Sequence, residues 1–245
     1  MIKIENTEVM GWEHAIRGMR NPMNSWAKSD SGICGHIDCN NCTMDGNEEY
    51  CYDFETDRDF VVGKADHELM MKLAKGGPVH AKYRRMIAVY MDITAPLYWW
   101  KEFDTYKVGT VANSCSTMHK IHEKEFGIDD FSCEQLLPGA KETLYHMVAR
   151  LNFWRSQYIE TKDKKYWWQM IQLLPNSYNQ KRTIMLNYEV LAGMYESRKN
   201  HKLDEWREFC KWIEGLPYSE IITGGSETVE IFADGKLIRK DEVTE

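Results

Sequence analysis

Nothing in the sequence is apolar for long enough to cross a bilayer. No run approaches the ~20 residues that a spanning helix needs. The opening residues, MIKIENTEVMGWEH, lack the basic stretch and apolar core of a secretory signal, so the cytoplasm is the expected compartment. Positive charge is also in deficit. A formal net charge of −7 argues against a non-specific nucleic-acid binder, which needs a basic face, but leaves room for one basic pocket around a phosphate. Internal repeats and low-complexity segments are absent. What is there is ordinary for a globular protein: 43% hydrophobic and 28% charged residues, in a 245-residue chain long enough for one large core.

Seven cysteines are present, and four crowd into one polar, acidic stretch. Cys39 and Cys42 form a CxxC pair, and Cys34 and Cys51, or His36, are able to complete a tetrahedral zinc site. Free thiols on a loop are the alternative. Residues 27–59 read as an insertion or lid on a single domain spanning 1–245. Cys115, Cys133 and Cys210 are scattered and expected to be reduced.

Periodicity outlines the rest. Residues 1–8 read as a strand and 9–20 as a helix with Trp12, Ala15, Ile16 and Met19 on one side. Residues 66–74 read as a short helix with Leu69, Met70 and Leu73 inward, closed by Gly76-Gly77-Pro78. Residues 136–157 and 164–174 are predicted helices rich in aromatics. Residues 182–199 are read as one helix on which Asn187, Leu191, Met194 and Arg198 share a stripe. Polar groups at both ends of an apolar stripe are either satisfied core polars or point into a ligand pocket. Leu203, Trp206, Cys210 and Ile213 mark a last helix, stopped by Gly215 and Pro217. The tail, about 226–245, alternates around Asp234-Gly235 as a hairpin does.

The central stretch, His80 to Lys120, carries the candidate chemistry. Met86–Ile93 is an apolar run expected to form a buried strand, with Thr94 as N-cap of the next helix and Pro96 in its first turn. Trp99, Glu102, Phe103 and Tyr106 fall on one helix face, a carboxylate among aromatics. A polar loop follows, holding Asn113, Ser114, Ser116, Thr117, His119 and Lys120, with a helix expected to open at Thr117. Hydroxyls, amides and a cation at a helix start suit an anion.

This stretch resembles the signature of the flavin-dependent thymidylate synthases, Arg-His-Arg, two residues, Ser, then Asn-Glu-x-Ser-x-Arg-Tyr. Thr105-Tyr106-Lys107 fall on the first three positions, Thr110 on the serine, and Asn113 to His119 on the second block. Lys107, Asn113 and Ser116 are kept or nearly kept. The outer arginines, the histidine and the glutamate are replaced, and Met118 stands where the last arginine does. A later block, LLPNSYNQKRTIMLNYEVLAGMYESRKNHKLDEW, resembles the family's second conserved segment at Pro175, Asn187, Arg198, His201 and Glu205. His80 falls where the family has a flavin-side histidine. The resemblance covers roughly residues 61–215.

The resemblance implies an α/β (α+β) fold with a central, antiparallel-leaning sheet and long flanking helices. It implies a homotetramer with shared active sites and reductive methylation of dUMP to dTMP. Reduced FAD supplies the hydride, and methylenetetrahydrofolate and NADPH are co-substrates. It places Arg198 and Lys107 in catalysis, with Arg198 on the pyrimidine edge or, alternatively, in an ion pair with Glu205 or Glu196; Glu102, the carboxylate on the aromatic helix face, is a further catalytic candidate. Ser114, Ser116, His119 and Lys120 join Arg198 in substrate binding. His80, Tyr106, Asn113 and Asn187 are the flavin-side residues. The replaced arginines leave open a flavoenzyme acting on another pyrimidine nucleotide, or a non-catalytic nucleotide-binding oligomer. Truncating Arg198 is expected to weaken nucleotide binding and spare the fold.

Overall fold

The computed structural model describes residues 2–33 and 60–224, together with the backbone of residues 231–233 and 236–238. The chain forms two compact units from interleaved segments. The first comprises Met1–Glu8, Val89–Leu186 and Arg198–Phe209. The second comprises Val9–Ala88, Asn187–Ser197 and Cys210–Glu245. In chain order the strands are β1 (Lys3–Met10), β2 (Gly32–Ile33), β3 (Phe60–Val61), β4 (Ala88–Pro96), β5 (Val111–Ser114), β6 (Asn179–Asn187), β7 (Ile231–Ala233) and β8 (Lys236–Ile238). The helices are α1 (Trp12–Arg20), α2 (Lys64–Lys75), α3 (Leu97–Phe103), α4 (Pro138–Thr161), α5 (Lys164–Leu173), α6 (Tyr188–Arg198), α7 (Asp204–Glu214) and α8 (Glu220–Thr223). Helix and antiparallel sheet are mixed, as expected. Among the described residues no helix is long and apolar enough to cross a membrane.

The main sheet has the strand order β1-β4-β6-β5. Asp92 on β4 ties its neighbours together. It accepts hydrogen bonds from Thr183 Oγ1 at 2.6 Å and Asn6 Nδ2 at 2.9 Å, and pairs with Lys181 Nζ at 3.0 Å. The Thr183 hydroxyl foremost, then Asn6 and Lys181, hold its carboxyl down at about 2. Asp92 therefore supports the fold above the unfolded carboxylate range near ~4 and ceases to as pH falls toward 2. Thr183→Ala is expected to move the Asp92 titration upward toward the ordinary carboxylate range, read by NMR. An unmoved titration would show that the hydroxyl is not the dominant donor.

Packing in the first unit centres on Trp99, Trp100, Phe103, Trp206 and Phe209, all essentially inaccessible to solvent. Trp99 lies 4.8 Å from Trp206 and 4.9 Å from Trp100, ring centre to ring centre. A second apolar cluster joins Leu144, Val148 and Leu151 of α4 to Met170 of α5 and to Phe126 and Phe131. Lys162 adopts the left-handed conformation that ends α4, and Asp163 caps α5 by accepting the Lys165 N–H at 3.0 Å. In the second unit Trp12 packs edge-on against Tyr188 and Tyr218. Gly11 starts α1 at φ +97°, and a Cβ there would lie 2.1 Å from the Met86 carbonyl oxygen. Only glycine fits.

Several expected boundaries move. The first strand runs on to Met10, so α1 starts at Trp12. Residues 81–86 form a 3-10 turn, and the apolar strand that follows continues through Pro96. Thr94 is therefore a strand residue and caps nothing. The leading N–H groups of α3, from Leu97 and Tyr98, donate instead to the carbonyls of Tyr178 and Asn176. Residues 179–187, largely assigned to a helix by spacing, are β6. Gln180, Ile184 and Leu186 are buried at period two, and sheet pairing overrides the helical reading. No helix opens at Thr117: residues 115–127 are turns and irregular chain. At the C-terminus β7 and β8 pair antiparallel, with Ala233 opposite Lys236.

Candidate functional site

The first unit gathers two arginines at the C-terminal end of α3, each against a carboxylate and over a tryptophan. Arg198 ends α6, and its Nη1 donates to Glu102 Oε2 at 2.5 Å while its Nε donates to the Tyr106 hydroxyl at 2.9 Å. Its guanidinium lies 4.7 Å from the centre of the Trp206 ring. Glu102 Oε2 also accepts the Trp206 indole N–H at 3.0 Å, and His201 Nε2 stands 3.4 Å from it. One carboxylate oxygen thus orients an arginine, a tryptophan and a histidine. Arg182, on β6, donates from Nη1 to Asp104 Oδ1 at 2.7 Å and from Nε to Gln180 Oε1 at 3.0 Å. Its guanidinium is 4.1 Å from the centre of the Trp100 ring.

A guanidinium carries five N–H donors. For both arginines the second Nη donates to no other described residue, although the side chains are only 18% and 14% exposed. Two largely buried forks with donors in reserve, each stiffened by a ring and a carboxylate, are a chemistry for binding planar carbonyls or phosphate oxygens. The neighbouring Glu205 carboxylate is buried and accepts the Tyr98 hydroxyl; burial and that carboxylate raise the Tyr98 pKa.

Two crystal structures from Helicobacter pylori share this architecture. One is thymidylate synthase X (ThyX) with FAD and dUMP, at TM-score 0.58 and 16% identity over 90% of this chain and 96% of that one. The other is flavin-dependent thymidylate synthase ThyX complexed with FAD and dUMP, at TM-score 0.59 and 17% identity over 89% and 96%. The chain has the ThyX fold. No family model matches its sequence, and no curated protein does.

Within the ThyX fold the residues singled out from sequence divide into three groups. Glu102, Tyr106 and Arg198 come together. Lys107, Asn113 and Ser114 are exposed in the same unit, the last two on strand β5 at one side of the sheet. Ser116, His119 and Lys120 lie on the irregular chain that follows. Ser116 Oγ accepts the His119 N–H at 2.9 Å, and Lys120 pairs with Glu123, so the cation expected there is locally neutralised.

His80 and Asn187 belong to the second unit. His80 is exposed ahead of the 81–86 turn, and Asn187 caps α6 by accepting the Val190 N–H at 3.1 Å. Asn187 is thus a satisfied cap at the far end of the helix from Arg198. Arg84, in the 81–86 turn that follows His80, is paired with Glu189 at 2.8 Å. Neither Glu196 nor Glu205 is Arg198's partner; Glu102 is. Removing Arg198 would leave Glu102 without its cation, a partner that the sequence reading did not supply. Cys34, Cys39, Cys42 and Cys51 lie outside the described residues, and among the described ones no cluster of three or more ligating side chains is able to hold a metal.

Sequence reasoning missed Arg182, Asp104 and Trp100. Arg182 was hidden by the helical reading of its segment. Its signal was the alternation Gln180, Arg182, Ile184, Leu186, which puts a cation on the buried face of a strand.

Proposed function

We propose that this chain is a flavin-dependent thymidylate synthase-like enzyme that reductively methylates dUMP to dTMP. A fold alone does not carry an activity. The observation that supports the reading is that, in a chain with the ThyX fold, Arg198 is held by Glu102, Tyr106 and Trp206 with donors in reserve. The Helicobacter pylori structures with this fold hold FAD and dUMP. Arg198 presents its free Nη2 edge to a pyrimidine carbonyl, polarising the ring. Glu102 and the Trp206 face fix the plane of that fork, so little ordering is left to the moment of binding. Lys107, exposed beside this cluster in sequence, adds positive charge where charge develops on the base.

Asn113, accessible on β5, and the half-buried Tyr106 ring are an amide and a stacking surface that fit a flavin. Reduced FAD, when bound, supplies the hydride, and methylenetetrahydrofolate the one-carbon unit. The protein's own work is to bind, orient and polarise. The proposal includes NADPH as reductant, a cytoplasmic homotetramer, one ThyX-like domain with an insertion near residues 27–59, and Ser114 and Ser116 on the substrate side.

Purified protein is expected to be yellow, to take up FAD, and to release tritium from 5-tritiated dUMP when supplied with folate and reductant. Met118 and Thr105, standing where the signature has arginines, favour a second reading in which another pyrimidine nucleotide is modified. Flavin uptake without tritium release would select it. A colourless protein that takes up no FAD would overturn both enzyme readings in favour of a non-catalytic nucleotide-binding oligomer.

A further inference from the structure

We propose that Arg182, with Ser114 across the sheet, is the phosphate-binding fork of this site. The inference rests on the nucleotide reading above and adds the residue that makes it select a monophosphate over a nucleoside.

The register of β5 on β6 sets Ser114 directly opposite Arg182. The Cys115 N–H donates to the Lys181 carbonyl at 2.9 Å, so 115 and 181 form a hydrogen-bonded pair. In an antiparallel ladder such pairs alternate with non-bonded ones, in which side chains stand closest. Ser114 and Arg182 are such a non-bonded pair, and their side chains share one face. That face of β6 otherwise carries Gln180, Ile184 and Leu186, all buried. A cation among them is costly unless a partner or a ligand compensates it.

Its supports fix the plane of the guanidinium. Trp100 underlies the guanidinium and Gln180 fixes Nε. The Gln180 amide in turn donates to the Cys115 carbonyl at 2.7 Å, linking the fork's support to the strand that carries Ser114. The Ser114 hydroxyl has no hydrogen-bond partner among the described residues. Among the described residues the one counter-charge is Asp104, half exposed just past the end of α3, and a pair so open to water is weak. An incoming phosphate monoester displaces Asp104 from Nη1, engages Nη1 and Nη2 together as a planar fork does, and takes the Ser114 O–H. If the pair served only to pin α3 to β6, Asp104 would be a support for binding and not a competitor. The two roles have opposite signs.

The test uses the full chain, with and without added FAD, and calorimetric titration with dUMP, deoxyuridine and ribose 5-phosphate. Arg182→Gln is expected to weaken dUMP and ribose 5-phosphate by about 10- to 100-fold and leave deoxyuridine unchanged. Arg182→Lys, which keeps charge but not the fork, should fall between. Asp104→Asn is expected to tighten both monoesters by about two- to fivefold, since the competing carboxylate is gone. This variant carries the test even where loss of Arg182 harms folding.

Equal losses for dUMP and deoxyuridine, or an Asp104→Asn protein that binds monoesters no better than wild type, would overturn the assignment. Failure of the enzyme reading is separable. A chain that takes up no flavin and releases no tritium, yet binds ribose 5-phosphate through Arg182, loses the enzyme reading and keeps the site. Tritium release with monoester affinity untouched by Arg182→Gln loses the site alone.

Discussion

Replacing Asp66 with alanine is expected to destabilise the second unit by about 3–5 kcal/mol, the cost of stripping one partner from a buried ion pair. Asp66 sits in the first turn of α2 with no solvent exposure. It accepts Arg20 Nε at 2.5 Å, the hydroxyls of Ser29 and Ser31 at 2.6 and 2.7 Å, and the N–H groups of Asp30 and Ser31 at 3.1 and 3.2 Å. Arg20, 4% exposed, would be left charged and without its carboxylate, and the 29–31 segment would lose its anchor. Urea denaturation reads the loss, and a change under about 1 kcal/mol would show that the network relaxes or admits water.

The same carboxylate gives a pH signature. Burial alone raises its pKa, but the Ser29 and Ser31 hydroxyls and Arg20 outweigh burial and hold it below the ordinary value. A depressed folded pKa means stability that is present above the unfolded value near ~3.9 and lost as pH falls through the folded one. Wild type should therefore lose more stability than the alanine variant on acidification below about pH 4.

Replacing Arg198 with alanine is expected to lower dUMP affinity by about 10- to 100-fold, the worth of a charge-assisted hydrogen bond of roughly 1.5–3 kcal/mol. Because Glu102 loses its cation, thermal stability should fall too. That carboxylate is 35% exposed and keeps the Trp206 N–H, so the loss should stay near or below about 1 kcal/mol. Arg198→Lys should recover stability better than affinity, since an ammonium pairs with Glu102 but does not also hold Tyr106 in a fixed plane. Lowered melting temperature with unmoved nucleotide affinity would reduce the cluster to a structural pair. Affinity and melting are thus to be measured on the same variants.

Much of this protein was legible from sequence because local rules sufficed. The apolar faces of α1, α4, α5 and α7 repeat at helical spacing. Trp12, Ala15, Ile16 and Met19 are each buried as the pattern required, and so is each of Trp206, Cys210 and Ile213. Glu102 was marked as a carboxylate on an aromatic helix face, whereas Tyr106, expected on the same face, lies beyond the end of α3 at Phe103 and reaches the cluster from the turn that follows. Arg198 was marked by a cation closing an apolar stripe and by its resemblance to the flavin-dependent thymidylate synthases.

The remainder depended on partners far away in the chain. Asn179–Asn187 fits a strand or a helix by spacing, and pairing with β5 decides it. Thr94 looked like a cap because caps are local, but the N–H groups it was to serve are met by the Asn176 and Tyr178 carbonyls. The pairing of Arg198 with Glu102 spans 96 positions and that of Arg182 with Asp104 spans 78. Sequence alone determined which side chains bring charge and which bring rings. Only the tertiary structure decided which charge faces which ring, because ion pairs and cross-strand neighbours are set by where the chain returns and leave no periodic trace.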